Sequence, residues 1–364
     1  MKIATFSLSL EADEINPVSI TEMHLISSID TLAYSCIVRI KDVTGALEPE
    51  VKYGAMLYAR YFDRDTGKKL LECPLRIMSY EKLCSAAPTT IDEIQITAVS
   101  SWYFEQDAER KAYYGTVSSI VKAATEKDRF FSARAIEESS DAQSLRYQLL
   151  ETPNSFLERL VYYGVSNSSP MYLFCTIGKK LVLKSKQAML DGSPVCTLVP
   201  LLDGVSPSDI IAGPVVSMYS AAFYAKGERS NSTRKYVFSV SHTPASQEAS
   251  IKISAAISTI ETKETKLVGS VSGSKAEISG WEVPPYDALS AAINRSARLD
   301  QDMFSAIAII PSVAATELDL GSTLNIRMSD SRCPENGTYY VRYIDHQLNN
   351  GSLYSKLHLV RIPE

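Results

Sequence analysis

The chain has 364 residues, 45% hydrophobic and 22% charged, the balance of a folded globular protein with more than one core and so two or three domains. Its 42 acidic and 37 basic residues give a net charge of −5, and the Lys and Arg residues are scattered. A stable grip on a phosphate backbone is disfavoured on that ground, although DNA could slide past an acidic surface without sticking. No apolar run approaches the ~20 residues needed to cross a bilayer.

The first residues, Met1 to Leu8, alternate from the start and lack a signal peptide's continuous apolar block. They read as the first strand of a protein made in the cytoplasm. Residues 1–105 continue as strands: Ala4, Phe6, Leu8 and Leu10 alternate with polar partners, as do Tyr34, Cys36, Val38 and Ile40, and Ile94, Ile96 and Ala98. Alternation of period two buries one face and solvates the other, the habit of antiparallel sheets. Met56–Phe62 and Leu70–Tyr80 flank the polar stretch Asp63-Arg64-Asp65-Thr66-Gly67-Lys68, which suits a hairpin turn. Short strands at this spacing predict a small barrel or sandwich.

From residue 106 the pattern changes. Thr116 is placed to cap a helix over Val117–Ala124, and Thr152-Pro153-Asn154 opens a second, with Pro in the first turn. Phe156, Leu157, Leu160 and Val161 form its apolar stripe and Gly164 its stop. Met171–Thr176, a Gly178-Lys179 turn and Leu181-Val182-Leu183 read as a hairpin. This α+β unit spans 106–200. Residues 201–364 return to strands: Val215–Ala225, Tyr236–Ser241, then Leu324-Ile326-Met328, Tyr339-Val341-Tyr343 after Asn336-Gly337, and Leu357 and Leu359 after the Asn350-Gly351 turn. Residues 243–280, rich in Ser, Thr, Lys and Glu, are a long insertion or weak edge strands, and a helix over 285–301 follows Pro284-Pro285. The first and third blocks are alike in kind, as in a duplicated barrel divided by an insert.

Catalytic signals are sparse. His24, His242, His346 and His358 lie far apart, and none sits in a two-ligand zinc motif. Asp345 and His346 are strand neighbours and so point to opposite faces. Gly269-Ser270-Val271-Ser272-Gly273-Ser274-Lys275 has the wrong spacing for a phosphate-binding loop and reads as linker. Asn167, Asn231, Asn294, Asn336 and Asn350 head glycosylation-like sequons that read as turn asparagines. The six cysteines are dispersed, without metal or redox spacing, and are expected to be reduced and mostly buried. No metal or cofactor is expected. Twenty tyrosines, paired at 113–114, 162–163 and 339–340, suit half-buried strands and protein interfaces alike.

The segment Thr152–Leu183, with Phe156-Leu157-Glu158-Arg159-Leu160, Gly164 and the closing Leu181-Val182-Leu183, resembles the middle domain of phage baseplate hub proteins. Leu320-Gly321-Ser322-Thr323-Leu324-Asn325-Ile326, Gly337–His346 and Tyr354–Arg361 are similar to that family's closing strands. Late-control tail proteins and the hub part of type VI secretion spike proteins are its relatives. The resemblance implies a mainly β fold: two tail-tube-like β-barrels, 1–105 and 201–364, flanking an α+β domain at 106–200. It implies a homotrimer whose six barrels form a pseudo-hexameric ring between the tail tube and a central spike, with other baseplate proteins around it and DNA passing without specific binding. The stretch 243–280 departs from the pattern. The chain ends just after the last barrel strand, so a separate spike protein is expected. Asp63, Arg64, Asp65 and Gly67 at the hairpin tip are the candidate inter-subunit contact, against the reading of an ordinary solvated turn. A tail-associated cell-wall hydrolase would need two converging carboxylates, which no segment singles out. A peripheral receptor-binding β protein is the other alternative.

Overall fold

The computed structural model describes residues 4–361 except 12, 43–46, 48, 84–92, 105–106, 142, 167–168, 179, 202–213, 226–231, 240–244, 254–257, 267–273, 276–303, 331 and 350. For Ala4, Ala225, Phe304 and the strands between 232 and 275 it describes the backbone alone. The opening stretch supplies β1 (Ala4–Leu10), β2 (Asp13–Ile15), β3 (Ile20–Ser28), β4 (Ser35–Lys41), β5 (Met56–Asp63), β6 (Lys69–Leu83) and β7 (Glu93–Ser100), then α1 (Ser101–Phe104). Its alternation sorts side chains as the sequence reading expects. Phe6, Leu8, Leu10, Cys36, Val38, Ile40, Ile94, Ile96 and Ala98 are all buried in one core.

The middle stretch runs β8 (Glu109–Gly115), α2 (Val117–Thr125), β9 (Ala133–Ile136), β10 (Ser144–Glu151), α3 (Pro153–Val161), β11 (Val165–Ser166), β12 (Ser169–Cys175), β13 (Lys180–Ser185) and α4 (Lys186–Leu190). Thr116 and Thr152 cap α2 and α3, their hydroxyls accepting the amides of Ser119 and Ser155. Gly164 does not act as a left-handed stop. Tyr162 ends α3 in right-handed geometry, and a Cβ on Gly164 would lie 3.0 Å from Val117 Cγ1, so this glycine admits α2 instead. In β12, residues 170–175 are buried on both faces. Met171, Leu173 and Cys175 join the core of the opening stretch, while Tyr172 and Phe174 join a second core belonging to the closing stretch. The β12–β13 hairpin is therefore a wedge between two cores.

The closing stretch contains β14 (Pro194–Pro200), β15 (Val215–Met218), β16 (Ser220–Ala225), β17 (Ser232–Ser239), β18 (Ala245–Ile253), β19 (Ser258–Lys266), β20 (Ser274–Lys275), β21 (Phe304–Pro311), α5 (Ser312–Thr316), β22 (Thr323–Ile326), β23 (Gly337–Asn349) and β24 (Ser352–Arg361). Val215–Ala225, read from sequence as one strand, breaks at Tyr219 into two. β14 hydrogen-bonds to β15 and β22 rather than to the middle hairpin. Gly351, at φ +79°, lies in the tight turn between the paired Asn349 and Ser352, while Asn350 lies outside the described residues; Asn336-Gly337 ends the longer loop between β22 and β23. Of the span 243–280, the described strands join β17 in a separate four-stranded sheet, ordered β19-β18-β17-β20. The helix expected at 285–301 lies outside the described residues, as does Cys84. Cys36, Cys73, Cys175 and Cys196 are buried free thiols, and Cys333 is half-buried.

The protein is mainly β, and its principal element is one curled, half-barrel sheet of fourteen strands to which the opening and closing stretches both contribute. Within it two five-strand meanders have the same antiparallel order, β3-β4-β7-β6-β5 and β16-β21-β24-β23-β22. The match extends to detail. β6 carries one extra residue, Met78, between Ile77 and Ser79 against β7, and β23 carries Arg342 between Val341 and Tyr343 against β24. Before β5, Gly54 (φ +81°) donates its amide to Ile77 O; before β22, Gly321 (φ +70°) donates to Val341 O. Both glycines need a conformation that side-chain-bearing residues rarely adopt.

Candidate assembly interface

The hairpin tip is held by its own backbone. Asp63 exchanges backbone hydrogen bonds with Gly67 and Lys68, and its carboxylate accepts the amides of Asp65 and Thr66 at 2.9 and 3.0 Å. Gly67 adopts φ +65°. Arg64, Asp65 and Gly67 are exposed and Asp63 half-buried. The local chemistry thus specifies a turn that projects from the sheet.

The two meanders meet at a seam that sequence reasoning missed. Tyr343–Asn349 of β23 pair antiparallel with Ser28–Glu22 of β3, on the side opposite β24. A polar chain crosses the seam: His24 Nδ1 lies 3.0 Å from Asp345 Oδ2, and its Nε2 lies 3.1 Å from Glu22 Oε1. Arg39 in turn contacts Glu22 at 3.2 Å and donates to Gln95 at 2.8 Å. Partial burial alone would lower the His24 pKa, but the Asp345 and Glu22 carboxylates outweigh it and hold the imidazole above its ordinary value. Arg342 adds a 2.8 Å ion pair to Asp30. His346 points to the other face, where it bonds Ser355 Oγ at 2.8 Å and lies against the Tyr61 ring; burial pushes its pKa down to about 4. Asp345 and His346 therefore serve different partners, as their strand-neighbour geometry requires.

A second feature is the isolated β8–β10 ribbon, whose amphipathic sense is inverted. Arg146 and Gln148 point inward and are buried, Arg146 lying 4.3 Å from the Tyr163 ring centre. Tyr114, Leu145, Tyr147 and Leu149 point outward and are exposed. The tyrosine pairs divide accordingly. Tyr114 and Tyr162 face solvent, Tyr113 stacks on Phe156 at 5.2 Å, and Tyr163, Tyr339 and Tyr340 are buried.

Among the described residues no cluster of three His, Cys, Asp or Glu side chains is placed to hold a metal, and no helix is long and apolar enough to cross a membrane. A depression lined by Ser119, Lys122, Ala123, Glu126, Arg134 and Ile136 brings one carboxylate among cations and, in this lining, has no nucleophile–base pair. What the arrangement offers is surface: strand edges, an outward apolar ribbon and a projecting turn.

No protein-family model matches the chain, and no curated protein matches it. Solved structures do. A tail protein from Neisseria meningitidis matches at a TM-score of 0.58 and 12% identity, over 99% of this chain and 96% of that one. The 43 kDa tail protein of prophage MuSo2 from Shewanella oneidensis matches at 0.58 and 10%, over 98% and 96%. An E. coli component of the type VI secretion system, itself described as structurally similar to the T4 tail proteins gp27 and gp5, matches at 0.54 and 11%, over 98% and 77%. At these identities the likeness is one of fold, and it agrees with the resemblance carried by the 152–183 and 320–361 motifs: the chain has the fold of phage tail proteins and of their type VI secretion counterpart, the setting of the baseplate hub family.

Proposed function

We propose that the protein is a structural hub of a phage tail, a homotrimer that joins the tail tube to a separate central spike and lets DNA pass through its channel. In this reading 1–105 and 201–364 each provide one tube-like barrel built on a five-strand meander, and 106–200 is the α+β unit between them. Three copies then place six similar barrels around an axis, matching a six-fold tube on one side and a three-fold spike on the other. The observation that carries the reading is the repeated meander, with the same strand order, bulge position and positive-φ glycine, set edge to edge within one chain. The net charge of −5 suits a passage that does not retain DNA. The protein acts without catalysis and without a cofactor, in the virion at the baseplate or tail tip, among other baseplate proteins. The turn at Asp63, Arg64, Asp65 and Gly67 projects toward a neighbouring subunit.

Electron microscopy of the purified protein, alone and inside tail particles, tests this. The expected image is a ring with three-fold symmetry and a central channel. A compact monomer absent from particles, or clearing of bacterial cell wall in a zymogram, would overturn it.

A further inference from the structure

The repeat leaves one side of each meander unmatched. At the internal seam, the part of β23 beyond its bulge outruns β22 and pairs with β3 on the side β22 has vacated. In the other meander β6 takes the place of β23. Its segment Ser79–Leu83 likewise outruns β5, whose ladder stops at Arg76, and among the described strands it pairs only with β7. The counterpart of β3 is β16. β3 lies between β4 and β23, whereas β16 pairs only with β21 among the described strands. Among the described strands, one chain therefore presents a second copy of each half of its own seam that has no strand beside it. Exposure differs in the same sense. Ile344, Asp345 and His346 at the seam are buried, while their counterparts Tyr80, Glu81 and Lys82 are exposed, as is Tyr224 on β16. A strand edge flanked by exposed aromatic residues is a template for another strand.

We infer that β6 of one copy pairs antiparallel with β16 of the next, repeating the β23–β3 seam between subunits. The inference rests on the ring reading and gives it a register. At the seam Asp345 stands opposite Ile26 and Gln347 opposite His24. Aligning the bulges (Met78 with Arg342) and the β16–β21 and β3–β4 ladders transfers this pairing to Glu81 opposite Tyr224, and Leu83 opposite Ala222. The occupant is a second copy because both halves of the joint are present on one chain and already fit one another internally. Such a contact is head-to-tail, and closes into a ring when the rotation between copies allows.

The test is a pair of cysteines. Directly opposed residues in an antiparallel ladder have Cα atoms about 4.5 to 5.5 Å apart, within the span of a disulfide, and a two-residue offset does not. In the double variant Glu81→Cys/Tyr224→Cys, mild oxidation of the oligomer is expected to convert most chains to covalent dimers and trimers on a non-reducing gel. Glu81→Cys/Ala222→Cys, two residues out of register, is expected to yield less than a tenth as much, and each single variant to stay monomeric on the gel. Oligomers seen in sedimentation that do not cross-link, or that cross-link through the shifted pair, overturn this pairing and leave the ring reading in place. A chain that never oligomerises overturns both.

Discussion

The two meanders invite comparison because they agree in everything the backbone needs and in little that the side chains spell. Leu75 takes the place of Tyr339, Met78 that of Arg342, and Val38 that of Ala308. What persists is alternation, one extra residue at the same rung, and a glycine with positive φ two residues before the same strand. They differ at their flanks. β1 runs antiparallel to β5, whereas β14 runs parallel to β22, because β14 arrives from the middle unit at the other end of the sheet. They differ also between β16 and β21, where the closing meander accommodates a four-stranded sheet and the opening one a short turn between β3 and β4. Connections at the rim of a sheet tolerate such length because they cross no core. A fold can thus be repeated within a chain after its residues have diverged.

Four experiments would break or sharpen that comparison. The largest contrast is between the closed seam and the open edge. Ile344→Lys places an unpaired charge at a buried rung and should cost about 4 kcal/mol in urea denaturation of the isolated chain. Its counterpart Tyr80→Lys, at an exposed rung, should change stability by no more than about 0.5 kcal/mol. Equal losses would deny that the two rungs differ in burial. The glycines come next. Gly321→Ala meets both strained φ and Met189 Sδ at 3.0 Å and should cost about 3 kcal/mol, against about 1 kcal/mol for Gly54→Ala, where the nearest atom is a Phe104 ring carbon at 3.4 Å. Thermal unfolding of the two variants would rank them.

Histidine titration separates the seam from the open edges, since the counterparts of His346 and His24 there are Lys82 and Ala222. His346 is held neutral in the fold, with a pKa of about 4, and takes up a proton near 6.5 when unfolded. Stability is therefore lost as pH falls between those values, by roughly 2 kcal/mol on reaching pH 5. His24, with its pKa raised, contributes in the opposite sense: its contribution is full below 6.5 and lost as pH rises through its folded value. His346→Gln should flatten the acid limb of a stability–pH curve, whereas His24→Gln should lower the curve below pH 6.5 as a whole and remove the gain in stability seen as pH falls toward 6.5. The smallest effect is expected on the outward ribbon, where Tyr147→Ser with Leu149→Ser should leave the monomer within about 0.5 kcal/mol. A large loss in chemical denaturation would mean that the face is covered within the chain.

The sequence made the strands and caps legible wherever a single element decides the residue choice. Alternation placed β1, β4 and β7, and the Thr116 and Thr152 caps placed α2 and α3, because those signals are local. Gly164 was misjudged because its need is tertiary: it yields space to Val117 across the fold. The break at Tyr219 was missed because apolar residues run on across it, from Val215 to Ala225, with no Gly or Pro to mark a boundary. The seam was illegible for a stronger reason. The pairing of β3 with β23 joins residues more than 300 positions apart, and neither strand's pattern names its partner. The outward ribbon was half legible, since Tyr113-Tyr114 signalled an interface or a half-buried strand and the structure divides the pair between the two.

The wedge hairpin has a mechanical consequence. Successive side chains of β12 anchor in different cores, Leu173 in one and Phe174 in the other, so a torque applied to either half is carried across a single backbone step. One half cannot turn against the other without pulling aromatic and aliphatic anchors out of dry surroundings. A body anchored in this way resists rotation of one half against the other.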